Sequence, residues 1–359
     1  MRIITIGIAA AAVGLIVSGC TAPSGNEGDA QKLIVAGWGG SYDEATLEYY
    51  VQPFTEETGI EIELVPVAGT HSALIEAQQS SGNIEWDLID SATASDSFRL
   101  DSLGYLEHFP AETKDAIAAI LPEGAMSDFG ITMGNNGLVI ACNTEVAAAC
   151  PTDMNEFFDV DAFPGDRMLP AVNPLGTITA VMGTLVDKSE VSTTEPDIDA
   201  VFDKLAEIRP SVKVFFESGE QSRQAIRSGE VGIALMWSGA AYQVKAEDAP
   251  IEISWDGGIY EAGYWLVQKG SDNAEAGFQF IQWIAEHPEQ QAKWSTALGG
   301  YGVPNPEAVQ FLDEVTAEVN TDNPKNYDLL LHQNWEWYVT GDNAQLADTL
   351  YQEYLLSNG

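Results

Sequence analysis

The stretch Lys32–Val65, KLIVAGWGGSYDEATLEYYVQPFTEETGIEIELV, decides the fold. It opens on a short apolar run, Lys32–Ala36, suited to a β-strand. Glycines at 37, 39 and 40 then break the run, with Trp38 and Tyr42 flanking the break. From Asp43 to Glu57, the apolar residues Ala45, Leu47, Tyr50, Val51 and Phe54 recur near helical spacing. Thr58-Gly59 ends that helix, and Ile60–Val65 alternates apolar and acidic residues as a half-buried strand does. Downstream, Thr70–Ser80 reads as a second helix and Trp86–Asp90 as a third strand. Strands and helices in alternation predict an α/β fold around a parallel sheet. Ligands of such sheets sit at the carboxyl ends of the strands, which puts Trp38–Tyr42 and Asp90–Ser95 on one rim.

A nucleotide is a poor fit to that rim. The dinucleotide fingerprint beginning at Gly37 needs its third glycine at position 42, where Tyr42 stands, and no P-loop lysine follows. Two aromatic rings instead offer flat apolar faces that attract cations. Metal chemistry finds no seat either. His71, His108, His287 and His332 are isolated, without the paired spacing that zinc needs. No Gly-x-Ser-x-Gly elbow occurs, and no carboxylate spacing marks an acid–base pair. The expectation is a binding protein with no cofactor and no metal; a secreted hydrolase is the weaker alternative.

The start of the chain assigns a compartment. Met1-Arg2 precedes an apolar run, Ile3–Val17, too short for a comfortable membrane span of about 20 residues. Val17-Ser18-Gly19-Cys20 resembles a bacterial lipobox, which implies a signal peptide over 1–19 and a lipid on the Cys20 thiol. Residues 20–31, small and polar, read as a flexible tether. The folded part is expected outside the cytoplasmic membrane, anchored to it. There, Cys142 and Cys150 form an even pair in CNTEVAAAC, whose spacing suits a small disulfide loop contributing about 2–3 kcal/mol.

Charge excludes some partners. The chain holds 55 acidic and 15 basic residues, a net −40. Nucleic acid and anionic membrane surfaces are therefore repelled. The acidity could attract cationic ligands, but the carboxylates are scattered along the whole length, which favours a solvated surface suited to a salty habitat.

A second lobe is expected after Gly134–Cys142. It contains a helix over Pro196–Ile208 and strands over Val212–Phe216 and Val231–Trp237; apolar-faced helices over Ala274–Glu286 and Pro288–Leu298 follow. In order along the chain, Lys32–Val65 and the segments SGNIEWDLID, FFDVDAFPGDRMLP, SGEVGIALMWSGAAYQV and YGVPNPEAV resemble the extracellular solute-binding proteins of ABC transporters. They are most similar to the spermidine/putrescine-binding family. The resemblance implies a two-lobed periplasmic-binding-protein type II fold with a hinged ligand cleft. Lobe 1 would comprise 32–137 plus 265–304, and lobe 2 138–264 plus 305–359, with crossings near Gly137, Tyr264 and Pro304. It also implies a monomer that hands a small-molecule solute to an ABC transporter permease.

Carried over residue by residue, the resemblance makes Trp38 and Tyr42 the first aromatic pair of the site. Ser91, Thr93 and Ser95 are the polar groups after the third strand, and Trp237 is a pocket tryptophan with Tyr242 beyond it. The carboxylates depart from the family pattern. Asn173–Thr179 carries no acid, and Gly263 occupies the slot where a second acid is normal. Glu261, Glu217 or Asp90 remains to pair with an amine, with Tyr260 beside Glu261. The helix start at Gly176 and Thr177, aided by Arg223, could instead hold a carboxylate or phosphonate. The expected ligand is a small amine-bearing, polyamine-like solute; the alternative is an amino-acid-like, opine-like or phosphonate one. A ferric site would have only Tyr260 and Tyr264 as close candidates.

Overall fold

A computed structural model describes residues 32–67, 71–122 and 124–357. The signal peptide, Cys20 and the tether lie outside the described residues. Among the described residues ten strands form two five-stranded sheets of matching topology. The first contains β1 (Lys32–Gly37), β2 (Glu61–Pro66), β3 (Leu88–Thr93), β4 (Gly130–Thr132) and β10 (Gly263–Val267), in the order β2-β1-β3-β10-β4. The second contains β5 (Asn136–Asn143), β6 (Arg167–Pro170), β7 (Val212–Phe216), β8 (Ile233–Trp237) and β9 (Ile251–Glu261), in the order β7-β6-β8-β5-β9. In each, three strands run parallel and a returning strand pairs antiparallel beside them.

The alternation read from Lys32–Val65 matches these elements closely. β1 is buried on both faces through Leu33, Val35 and Ala36, as a central parallel strand covered by helices must be. The following helix runs from Gly40 to Thr58, with a π-helical stretch at Leu47–Val51. Its Tyr50 and Phe54 meet Trp294, Phe280 and Trp283 of the helices Ala274–Glu286 and Pro288–Ala297. That set is the first core. The second gathers Leu138, Phe157, Leu169, Ile178, Val201 and Tyr351. Within it, the fully buried Arg167 donates to the carbonyls of Phe157, Phe163 and Gly165 at 3.1, 2.6 and 2.9 Å. One guanidinium thus closes the FFDVDAFPGDR loop without an acid. Cys142 and Cys150 are joined, their Cα atoms 5.6 Å apart. Among the described residues no helix is long and apolar enough to cross a membrane.

Among the described residues the chain crosses between the two lobes at three places. The first lies at Met133–Asn135, between β4 and β5, and the second at Ala262, between β9 and β10. The third comes later than Pro304. Ala308, in the turn Pro306–Phe311, is fully buried in the first core, and Leu312 packs against that core. The helix Glu314–Val319 then sits on the second lobe, where Glu318 meets Lys245 at 3.2 Å. Pro306 starts a helical turn, as its preset φ suits, but that turn covers lobe 1. Near the carboxyl end the chain touches lobe 1 again, Trp335 stacking on Phe98 with rings 2° from parallel and 5.6 Å apart.

Candidate functional site

Between the lobes lies a cleft of about 460 Å³. On the lobe 1 side it is lined by Trp38 and Tyr42 after β1, and by Ser91, Thr93 and Ser95 at the end of β3. On the lobe 2 side it is lined by Asn173, Trp237 at the end of β8, the helix start at Gly219 and Glu220, and Glu261 at the end of β9. The carboxyl ends of strands from both sheets thus face one space, as the general rule for open α/β sheets requires.

The lobe 1 rim is held from behind. The Trp38 indole Nε1 donates to the Asp90 carbonyl at 2.9 Å, and the Tyr42 hydroxyl lies 2.5 Å from Ser91 Oγ. Asp90 itself is fully buried and does not line the cleft. Its carboxyl accepts from the Tyr42 hydroxyl at 3.4 Å and the Thr46 hydroxyl at 3.3 Å. Burial pushes that carboxyl up to about 8, so near neutral pH it is a proton-bearing support for the rim. Ser91 and Asn173 carry positive φ of 47° and 58°, a conformation costly for side-chain-bearing residues. Both face the cleft, where such strain concentrates in binding sites.

The lobe 2 floor centres on Glu261. Its carboxylate accepts from Trp237 Nε1 at 2.9 Å and from Asn173 Nδ2. It also stands over the start of the helix Pro174–Leu185, where a Cβ on Gly176 would come 3.1 Å from Oε1. The expected anion site at that helix start is therefore occupied by the protein's own carboxylate. Asn173 caps the helix, its Oδ1 taking the Gly176 amide at 3.3 Å. Thr177 is fully buried and shares a hydrogen bond with the Tyr351 hydroxyl, so neither Gly176 nor Thr177 lines the cleft. Burial raises the Glu261 carboxyl to about 7, against the lowering effect of its two donors. Among the described lining residues Arg223 is the one lysine or arginine, and it is paired with Glu220.

Three other candidates also stand elsewhere. Glu217 is exposed at the surface; its amide donates to Gln221. The Tyr242 hydroxyl accepts from Trp255 Nε1 at 3.1 Å, and the Tyr260 hydroxyl donates to Asp322 at 2.9 Å. Tyr264 is buried in a lobe 1 cluster, and neither Tyr260 nor Tyr264 lines the cleft. No group of three His, Cys, Asp or Glu side chains able to hold a metal occurs among the described residues. The missing acid at Gly263 has a steric reason: a Cβ there would run into the Met133 carbonyl oxygen. The lining also includes Asn136, Tyr301, Gln333 and Trp335, which no sequence pattern marked.

Comparison with known proteins agrees with this geometry. Residues 49–325 match the family described as bacterial extracellular solute-binding protein. The gamma-aminobutyric acid-binding protein of Pseudomonas aeruginosa is 26% identical over 307 residues, 84% of this chain and 84% of its own. The spermidine/putrescine-binding periplasmic protein of Escherichia coli is 26% identical over 166 residues, 45% of each chain. Among solved structures, an ABC transporter substrate-binding protein from Bradyrhizobium japonicum superposes with a TM-score of 0.79 at 25% identity. That match spans 90% of this chain and 99% of the other.

Proposed function

The chain belongs to the bacterial extracellular solute-binding proteins, and on that footing we propose that it captures a small amine-bearing solute for an ABC importer. The observation that carries the reading is Glu261. A half-buried carboxylate, held by Trp237 and Asn173 and facing no cation of its own, is a receiver for one ammonium group. Trp38 and Trp335 supply aromatic faces that favour a cation or an alkyl chain. The solute's other pole meets the paired Glu220 and Arg223. A carboxylate there gains a bidentate partner in Arg223, which favours a short ω-amino acid of the 4-aminobutyrate kind. The relative aligned over 84% of the chain binds such a molecule by its name. A polyamine is the second reading, supported by Glu220 as a second acid in the lining and by the Escherichia coli relative. It asks Glu220 to leave Arg223.

In this reading the Cys20 thiol bears the lipid that holds the protein at the membrane. The Cys142–Cys150 disulfide braces lobe 2, and one monomer delivers its solute to the permease. Calorimetry and thermal shift on the full chain with 4-aminobutyrate, putrescine, spermidine and 3-aminopropylphosphonate test the ligand. At a hundred times its dissociation constant the true ligand adds about 2.7 kcal/mol of stability. A shift with putrescine and none with 4-aminobutyrate turns the assignment to polyamines; no shift with any amine rejects the ammonium site. Radiolabelled palmitate incorporation that survives Cys20→Ala rejects the anchor.

A further inference from the structure

Segments at or beside all three crossings meet at one half-buried carboxylate. Asp322 lies just past the third crossing, beyond the helix Glu314–Val319. Its Oδ2 accepts from Asn135 Nδ2, in the first crossing, at 2.7 Å. Its Oδ1 accepts from the hydroxyl of Tyr260, which precedes the second crossing, at 2.9 Å. Its own amide donates to Asn320 at 3.1 Å. Asn135 is further tied to the third segment through its backbone, which exchanges hydrogen bonds of 3.2 and 2.8 Å with Gly302. Gly302 has to be glycine there, because a Cβ would run into the Asp322 carboxylate. The Tyr260 ring is boxed by Tyr327 and His332, each with its centroid 5.2 Å away.

We infer that Asp322 is a positioning residue for solute capture: it ties the three crossings into one pivot and, through Tyr260, fixes where Glu261 stands in the cleft. The inference rests on the reading that Glu261 receives the ammonium. Tyr260 and Glu261 are consecutive, and they pair with Gly137 and Asn136 on β5. A displacement at the Tyr260 hydroxyl bond therefore reaches the binding carboxylate through one peptide. Lobe closure turns about these same crossings, so the bonds that define the pivot also set the axis of closure. Both donors to Asp322 are neutral, and burial raises its carboxyl to about 6. Asn135 and Tyr260 are themselves buried, so losing the acceptor strands the Tyr260 hydroxyl away from water and leaves Asn135 Nδ2 only its 3.3 Å bond to the Thr132 hydroxyl. Surface ion pairs elsewhere in this acidic chain have no such leverage, being half-exposed and screened.

The test uses the full chain with 4-aminobutyrate and putrescine as probes. It compares Asp322→Asn, Tyr260→Phe, their double variant, Glu261→Gln and Leu205→Ala. Leu205 is fully buried in the second core, so its variant reports lost stability alone. Asp322→Asn and Tyr260→Phe each weaken the probe that binds by about tenfold, and the double variant falls short of the sum of the singles, because both act on the shared Asp322–Tyr260 bond. Both also change the compaction seen by small-angle scattering on adding the probe. Leu205→Ala lowers the melting temperature and leaves affinity within about twofold. If Asp322→Asn does not fold, Tyr260→Phe, which deletes one hydroxyl, decides. Lower melting temperatures with affinity and compaction unchanged overturn the inference. Unchanged amine binding in Glu261→Gln instead removes the ammonium reading, and the pivot then stands or falls on compaction.

Discussion

Glu261→Gln separates binding from stability. In the empty cleft burial carries the Glu261 carboxyl from its ordinary 4.5 up to about 7. An ammonium beside it favours the ionised form and draws that value down. Solute binding therefore expels a proton wherever the free site is protonated, and affinity falls as pH drops below 7. Between pH 8 and pH 5 the ionised fraction of the free site goes from about nine-tenths to about one-hundredth, so affinity falls roughly a hundredfold. The amine and carboxyl of 4-aminobutyrate titrate near 10 and 4, outside that window, by analogy with side-chain values. The same carboxyl acts oppositely on the empty protein. Its raised value means the folded state holds a proton that the unfolded chain releases, so stability falls as pH rises from 4.5 to 7. Above pH 7 the cost is about 3 kcal/mol at most, reduced by the solvent that reaches this half-buried group. Glu261→Gln is thus expected to melt higher at pH 8 while binding the amine weakly and with a flatter pH profile. Titration calorimetry in buffers of different ionisation heat counts the proton released. Asp90 and Asp322, raised to about 8 and about 6, also respond in this range, but both remain in the variant and cancel in the comparison. An affinity that stays flat from pH 8 to pH 5 in the unmodified protein, or is unchanged by Glu261→Gln, refutes the reasoning.

Trp38→Ala removes an aromatic face and the 2.9 Å bond to the Asp90 carbonyl. It is expected to weaken the ligand by about ten- to a hundredfold by calorimetry, with the fold retained because Trp38 is only half-buried. Cys142→Ser with Cys150→Ser reopens a small loop at the far end of β5 from the cleft. Urea unfolding under oxidising conditions should show a loss of about 2–3 kcal/mol with unchanged affinity. Raising sodium chloride from 0.1 to 1 M shortens the screening length from about 10 to about 3 Å. With a net charge of −40, the melting temperature should rise over that range; a falling one contradicts self-repulsion.

Local pattern carried the strands and helices far. Strand–helix alternation from Lys32 to Val65, the glycine break at Trp38 and the apolar faces of Ala274–Glu286 and Pro288–Ala297 are readable because period and punctuation act between near neighbours. Trp38, Tyr42, Ser91, Thr93, Trp237 and Glu261 share one cleft for the same reason: each sits at or just past the end of a strand. What local pattern lacks is the identity of partners far along the chain. Glu261, Glu217 and Asp90 are equivalent acids in a one-dimensional string. Packing buries Asp90 beneath Tyr42, leaves Glu217 at the surface, and puts Glu261 between Trp237 and Asn173, the latter 88 residues away. Asn136, Tyr301, Gln333 and Trp335 enter the cleft only because the chain crosses between lobes, and no periodicity encodes a crossing. Residue types and their spacing determined an α/β binder with an aromatic rim. The tertiary structure decided which acid lines the cleft and which, at Asp322, joins Asn135 to Tyr260, because a carboxylate's role depends on its burial and its donors.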